Sequence, residues 1–399
     1  MNLAKRLQLI KPSPTLMVTV QVAALRRQGI EVIDFGAGEP DFDTPDHIKE
    51  AAITALKQGK TKYTPVGGTA DLKEAIIAKL QRDNGLTYSM QEVTANCGGK
   101  HTLFNAFHAL FGEGDEVLIP APYWVSYSDM VILTGGQPKL LMTSEETGFK
   151  ITAAQLEAAI GPQSKALLLN SPSNPTGAAY TEDELRKIAD VVERSSLIVF
   201  SDDVYEKFLY DSPQCPQILS LKPNLRDRVL IANSVSKTYA MTGWRLGYAA
   251  GPKEVISAIE TLQSQSTSNP NSITQAAAAA ALTSSQESVG IMAKEFKKRR
   301  DYVVQRLRAM PGITCTLPEG AFYVFPRVSN YFGAKWQDNT ISSAMDLSIY
   351  LLQEAKVALV AGEGFGSADH VRISYATSME NLTKGLDQIE KALKQLQSL

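Results

Sequence analysis

The stretch RVLIANSVSKTYAMTGWRLGY, residues 228–248, decides how the chain is read. It opens as a β-rich run, RVLIANS, and sets Lys237 just past the run's end among Ser234, Ser236 and Thr238. Four similar runs precede it: VTANC at 93–97, EVLIP at 116–120, KALLLN at 165–170 and SLIVFSD at 196–202. Helical patterns lie between them, such as TEDELRKIADVVER at 181–194, where Thr181 and Glu184 carry a capping-box signature. That alternation spells βαβ units and predicts an α/β fold, a mostly parallel central sheet sandwiched by helices. In such sheets ligands gather at the carboxyl ends of the strands. The residues that follow each run are therefore the candidate site.

Beyond about residue 285 the pattern changes to a long charged helix from Glu287, a strand pair around GAFYVFP at 320–326, and a last amphipathic helix with Leu382, Leu386, Ile389 and Leu393 at helical spacing. A smaller α+β domain is expected there. The first ~45 residues are too short to fold alone and are expected to join it. The predicted division is a large domain over 47–290 and a small domain formed by 1–46 and 291–399. Six alanines at 276–281 predict a helix packed closely on a neighbour.

With 399 residues, 44% of them hydrophobic, the chain can bury a large core. A formal net charge of -2 gives no basic surface for nucleic acid, so small molecules are the expected partners. Cys97, Cys215 and Cys315 form neither a CxxC pair nor an even set, which argues against a disulfide framework or a zinc site. His47, His101, His108 and His370 lack metal-ligand spacing and are read as packing or solvent residues, and Cys97 as a small buried one. The N-terminal apolar stretch is too short for a signal peptide and no ~18-residue apolar run occurs, so a soluble cytoplasmic protein is expected, with no membrane partner and no metal.

Taken alone, Lys237 fits a snorkelling or salt-bridged lysine. Its neighbours suggest otherwise. Desolvation at a strand end lowers an amine's pKa toward Schiff-base chemistry, and Arg245, with Ser234 and Ser236, is suited to gripping a phosphate. A phosphorylated carbonyl cofactor satisfies both. Gly98, Gly99 and Lys100 begin a helix whose amides form an anion site. Asp202 stands where a carboxylate keeps a pyridine nitrogen protonated, with Tyr205 placed to reach a phenolic oxygen, although a helix cap would fit SDDVY equally. Asn174 sits in the turn-rich NSPSNPTG at 170–177, which read by itself is a loop.

Together, AGEPDFDTP, KYTP, GGK, PYWVSY, SNPTG, SDDVY and SKTYAMTGWRLGY resemble the class I aminotransferases, pyridoxal-phosphate enzymes of fold type I, in the aspartate aminotransferase branch that also includes prephenate aminotransferases. The resemblance runs from KPSPT at 11–15 to VRISYATS at 371–378. It implies that Lys237 holds pyridoxal 5'-phosphate and moves the proton, that Asp202 pairs with the ring nitrogen, that Asn174 and Tyr205 bond the ring oxygen, and that Trp124 stacks on the ring. Gly99, Lys100, Ser234, Ser236 and Arg245 would hold the phosphate. Tyr63 would reach in from a second subunit, which makes a homodimer with shared sites part of the expectation. Arg372, costly in an apolar strand unless paired, would take the substrate's α-carboxylate with Gly38 and Asn174.

The implied reaction is a ping-pong transfer of the amino group between L-aspartate and 2-oxoglutarate, with arogenate formation from prephenate as an alternative. The distal carboxylate would fall to Lys100, Ser13 and Thr15, because SNPNSITQ at 268–275 lacks the arginine another branch supplies there. Three positions depart from the family pattern: Asp203 stands where glutamate is usual, Ala361 where proline is usual, and Ser234 where glycine is frequent.

Overall fold

A computed structural model describes residues 3–10 and 14–397. After a two-residue strand, β1 (Ile33–Asp34), come β2 (Val93–Asn96), β3 (Glu116–Ala121), β4 (Gln137–Met142), β5 (Ser164–Asn170), β6 (Ile198–Asp202), β7 (Val229–Ser234) and β8 (Gly247–Ala250). These last seven form one sheet in the order β2-β8-β7-β6-β5-β3-β4. Every pairing from β7 through β4 is parallel, and β8 runs antiparallel to both its neighbours. The sheet is therefore mostly parallel, with one reversed strand.

The predicted runs are the strands, and β3, β5, β6 and β7 are apolar on both faces, while β2 sets the polar Thr94 and Asn96 against the apolar Val93 and Ala95. Along β5, Leu167 and Leu169 enter one core cluster and Ala166 and Leu168 the other; β7 divides in the same way between Val229 and Ile231 on one side and Leu230 and Ala232 on the other. Period-two alternation between two buried layers gives a continuous hydrophobic run, as a strand covered on both faces requires. Fully burying one such side chain is worth about 1.5–3 kcal/mol. The helix Glu182–Arg194 starts with the predicted capping box, Thr181 accepting from the Glu184 amide and Glu184 reciprocating, a contribution of roughly 1 kcal/mol. The alanine run lies in the helix Ser272–Thr283, where Ala277, Ala278 and Ala281 are fully buried against the helices Asp46–Lys57 and Ala70–Asn84.

The chain then forms β9 (Tyr323–Val324), a hairpin of β10 (Lys335–Trp336) and β11 (Asn339–Thr340), β12 (Val357–Ala358), β13 (Val360–Ala361) and β14 (Val371–Ser374). The strand pair expected around 320–326 shrinks to β9, which pairs with β14. Ala321 lies in the left-handed region at φ 57° and Pro326 lacks an amide hydrogen, so the run is stopped on both sides. A second core joins Ile33 and Phe35 to Val303 and Leu307 of the helix Glu287–Arg308 and to Leu382, Leu386, Ile389 and Leu393 of the helix Met379–Gln397. The N-terminal segment is fastened there by backbone pairing: β1 runs parallel to β12, and the Phe35 carbonyl accepts from Ser374 of β14.

Candidate active site

The ends of β5, β6 and β7 open on a cavity of about 410 Å³, roofed by the segment Gly36–Glu39 and by Tyr323 and Arg372 of the second core. Register explains its floor. Asn170 lies opposite Asp202, and Asp202 opposite Ala232. The Asn170 amide donates to the Asp202 backbone oxygen at 2.9 Å, while its carbonyl accepts from the Asn174 backbone N–H at 2.9 Å, so one strand end shapes the next loop.

At one side, Ser234, Gly247 and Asn96 are aligned across β7, β8 and β2. The helix Gly99–Leu110 starts there, and its N-cap, Gly98, offers no side-chain acceptor to the first amides. Close approach dictates the glycines. A Cβ on Gly247 would come within 2.3 Å of the Gly99 nitrogen, and one on Gly98, whose φ is +97°, within 2.2 Å of the Arg245 guanidinium. Arg245 itself lies at φ 54° and is anchored by its Nη1, which donates to the Thr242 carbonyl at 2.7 Å. The indole N–H of the preceding Trp244 donates to the Thr44 hydroxyl at 3.0 Å. Gly99, Ser234, Ser236 and Arg245 thus line the cavity where the first amides of that helix lie, a setting that suits an anion.

Lys237 rides on the single turn Val235–Thr238, capped by Ser234, and its Nζ donates to the Gly38 carbonyl. Burial is the main influence on this amine; Glu39 opposes it, and the cations Arg372, Arg245 and Lys100 add to it. The result is an amine lowered to about 8. Asp202 is the counterpart. Burial raises its carboxyl to about 6, against the Tyr127 hydroxyl, which donates to Oδ2 at 2.5 Å, and the Val204 amide. Tyr205 is buried with its hydroxyl 2.9 Å from that of Tyr323.

Arg372 is 2% exposed. Its Nη1 donates to the Asn174 side chain at 3.0 Å and its Nη2 to the Gly36 carbonyl at 2.7 Å, both neutral acceptors. Its Nε has no hydrogen-bond partner among the described residues, and the guanidinium stacks 4.5 Å from the Tyr323 ring centroid. A buried cation with an unmatched N–H is a seat for an incoming carboxylate. Lys100 stands 4.9 Å over the Trp124 ring, its amine lowered by burial and by Arg245.

Gly38, Gly99, Lys100, Trp124, Asn174, Asp202, Tyr205, Ser234, Ser236, Lys237, Arg245 and Arg372 all line the one cavity. Tyr63 does not; it is 90% exposed and away from the site of its own chain. Ser13 lies outside the described residues, and so does the side chain of Thr15, whose backbone belongs to the helix Pro14–Arg27. Cys97 is half-buried rather than buried, because it sits at the exit of β2 beside the glycine turn. Sequence reasoning passed over Tyr127, Tyr323, Asn170 and the Gly36 carbonyl. Asn170 carried a signal, as the last residue of a predicted run; Tyr127 and Tyr323 became visible only through their partners.

The family described as Aminotransferase class I and II matches residues 30–389. An aspartate aminotransferase of Geobacillus stearothermophilus is 47% identical over 397 residues, covering 99% of each chain. An aspartate/prephenate aminotransferase of Cereibacter sphaeroides is 49% identical over 390 residues, 97% of this chain and 98% of that one. Among solved structures, the aspartate aminotransferase of Rhizobium meliloti superposes with a TM-score of 0.95 at 45% identity, covering 99% of both chains. Class I enzymes of this type use pyridoxal 5'-phosphate, and the donor set here fits that group: a glycine turn where a Cβ on Gly247 would strike the Gly99 backbone, a buried carboxylate and an amine lowered by burial, in one cavity. On the family match and on full-length identity alike, this chain belongs to the class I and II aminotransferases.

Proposed function

We propose that the protein transfers the amino group between L-aspartate and 2-oxoglutarate, giving oxaloacetate and L-glutamate, in two half-reactions at one site. The observation that carries this reading is the convergence of the Lys237 amine, the Asp202 carboxylate and the buried Arg372 guanidinium on a single cavity. Its relatives named aspartate aminotransferase support it. When bound, pyridoxal phosphate supplies an electron sink for the pair left on the substrate's α-carbon.

The chain's own residues do the rest. Gly99, Lys100, Ser234, Ser236 and Arg245 would hold the phosphate, and Asp202 would face the ring nitrogen. Asn174 and Tyr205 would bond the ring oxygen, with Trp124 across the ring face. Lys237, lowered to about 8, has an unprotonated fraction of about a tenth at pH 7, far above that of an ordinary lysine, so its Nζ would hold the cofactor through its carbonyl carbon, the oxygen leaving as water, and would carry the α-proton. Arg372 would bind the α-carboxylate, with Asn174 and Gly38 beside it. Lys100, Ser13 and Thr15 would meet the distal carboxylate.

The same Lys100 over Trp124 at the cavity supports a second reading, amino transfer to prephenate, which relatives named aspartate/prephenate aminotransferase also support. A matrix of amino donors against oxo acceptors, prephenate included, tests both. Aspartate with 2-oxoglutarate is expected to give the largest kcat/KM; no oxaloacetate from that pair overturns the first reading, and no arogenate from prephenate overturns the second.

We further infer a large domain over 47–290 and a small one from 1–46 with 291–399, a homodimer in which Tyr63 serves the partner's phosphate site, and a cytoplasmic setting in keeping with three unpaired cysteines. No helix among the described residues is long and apolar enough to cross a membrane. Tyr63→Phe should weaken cofactor binding without changing the folded monomer, and a monomeric, fully active enzyme would remove the shared-site reading.

A further inference from the structure

Resting on the reading of Asp202 as the partner of the ring nitrogen, we propose that Tyr127 is a positioning residue for the reaction, its hydroxyl holding the Asp202 carboxylate ionised and aimed into the cavity. Among the described residues, the side chain of Asp202 accepts hydrogen bonds from two groups only: Tyr127 at 2.5 Å on Oδ2 and the Val204 amide at a long 3.4 Å on Oδ1. Among the described residues no cation pairs with the carboxylate. The charge on a buried acid is then kept by donors, and the one short, charge-assisted bond comes from this tyrosine.

Tyr127 is well built for that task. It stands in the first turn of the helix Ser126–Leu133 and is 1% exposed. Its ring packs edge-on against Trp124 at 5.2 Å and belongs to the same apolar cluster as Phe200, two residues before Asp202 on β6. The phenol stays a donor because burial, and then Asp202 itself, push its ionisation far up. A rigid neutral donor thus meets a carboxylate at the end of a rigid strand. The geometry also links the residue across the ring face, Trp124, to the residue under the ring nitrogen through one helix turn.

The consequence concerns where the proton between Asp202 and the ring nitrogen rests. The tyrosine bond lowers the proton affinity of the carboxylate, leaving the proton, and the positive charge, on the ring. Removing the bond moves the proton toward Asp202 and makes the ring a weaker acceptor of electrons. The bond between cofactor and Lys237 then titrates at higher pH.

The test uses the loaded enzyme in four forms: wild type, Tyr127→Phe, Asp202→Asn and the double variant. For each, the visible absorption of bound cofactor is titrated against pH and the cofactor dissociation constant is measured. Tyr127→Phe is expected to raise the titration midpoint by about 0.5–1 pH unit and weaken cofactor binding by about 10-fold or more, the scale of one hydrogen bond to a charged group. On the Asp202→Asn background the same change should do almost nothing, because no carboxylate remains to be held. Tyr127→His, which keeps a donor, should recover part of the shift. A midpoint unmoved in Tyr127→Phe but moved in Asp202→Asn overturns the proposal alone; a midpoint unmoved in Asp202→Asn overturns the reading of Asp202 beneath it. Equal defects in the Phe and His variants assign Tyr127 to packing and also overturn the proposal.

Discussion

Lys79 is buried in the core and Lys237 half-buried at the cavity, and the difference between their surroundings separates structure from chemistry. Lys79 is 2% exposed; its Nζ donates to Glu206 and, at 2.9 Å, to Asn84. Glu206 is engaged in turn by Asn84 and Asn233, and although burial works to raise its carboxyl, Lys79 holds it below the usual range. Among the described residues the Lys237 Nζ hydrogen-bonds the neutral Gly38 carbonyl; the Glu39 charge acts on it from a distance, against those of Arg372, Arg245 and Lys100. One lysine is neutralised by a partner; the other is kept short of one. A desolvated amine with no carboxylate bonded to it costs folding free energy, and such a cost marks a candidate reactive group.

The comparison is broken most decisively at Lys237. Lys237→Ala is expected to lower kcat/KM by about 10⁴-fold or more and to abolish the pH-sensitive visible band of the bound cofactor. Retained turnover with a normal band would move the chemistry to another amine. Lys79→Met should do the reverse. It strands Glu206 without its cation and is expected to cost about 3–5 kcal/mol in denaturant unfolding, while the visible titration of whatever folds stays at its wild-type midpoint. A shifted midpoint would mean that the two lysines are coupled.

Arg372 extends the contrast to guanidinium groups. Arg299 and Arg300 are also buried, but Asp41 and Glu295 take the first and Asp211 and Asp301 the second. Among the described residues Arg372 donates to neutral oxygens. Arg372→Lys keeps the charge and loses the planar fork, so KM for the amino acid should rise about 10²-fold with little change in stability. An unchanged KM would take the α-carboxylate elsewhere.

How much of this was legible before the fold was known depends on the kind of signal. Strand ends were readable because a strand buried on both faces must be an apolar run, and Asp202, Ser234 and Lys237 follow such runs directly. The reversal of β8 was not, since LGYAAG reads the same in either direction and only its pairing with β2 and β7 fixes the sense. Arg372 stood out as a charge within an apolar strand. Tyr127 did not, for an aromatic three residues after Trp124 on a helix is ordinary packing until its hydroxyl is seen against Asp202. The Gly36 carbonyl left no mark at all, because backbone acceptors are chosen by the path of the chain and not by residue type.

The finest form of the comparison is a single substitution made at both lysines in the cofactor-free protein. In the folded chain the Lys237 amine titrates near 8, against 10.5 for its ordinary value. Below pH 8 it is protonated in both folded and unfolded states, and the folded state carries the whole penalty of a partly desolvated charge among three cations and Glu39. Between about 8 and 10.5 the unfolded chain binds more proton than the folded one, so stability rises with pH and the penalty fades. Lys237→Met removes the group and should therefore stabilise the cofactor-free protein at pH 7 by about 1–3 kcal/mol, less whatever the lost bond to Gly38 was worth. That gain should shrink steadily toward pH 10.5. Thermal unfolding of both proteins across this range checks it: a difference that stays flat with pH, or a Lys237→Met variant that loses stability at pH 7 as Lys79→Met does, would show that Lys237 is held as a structural cation after all.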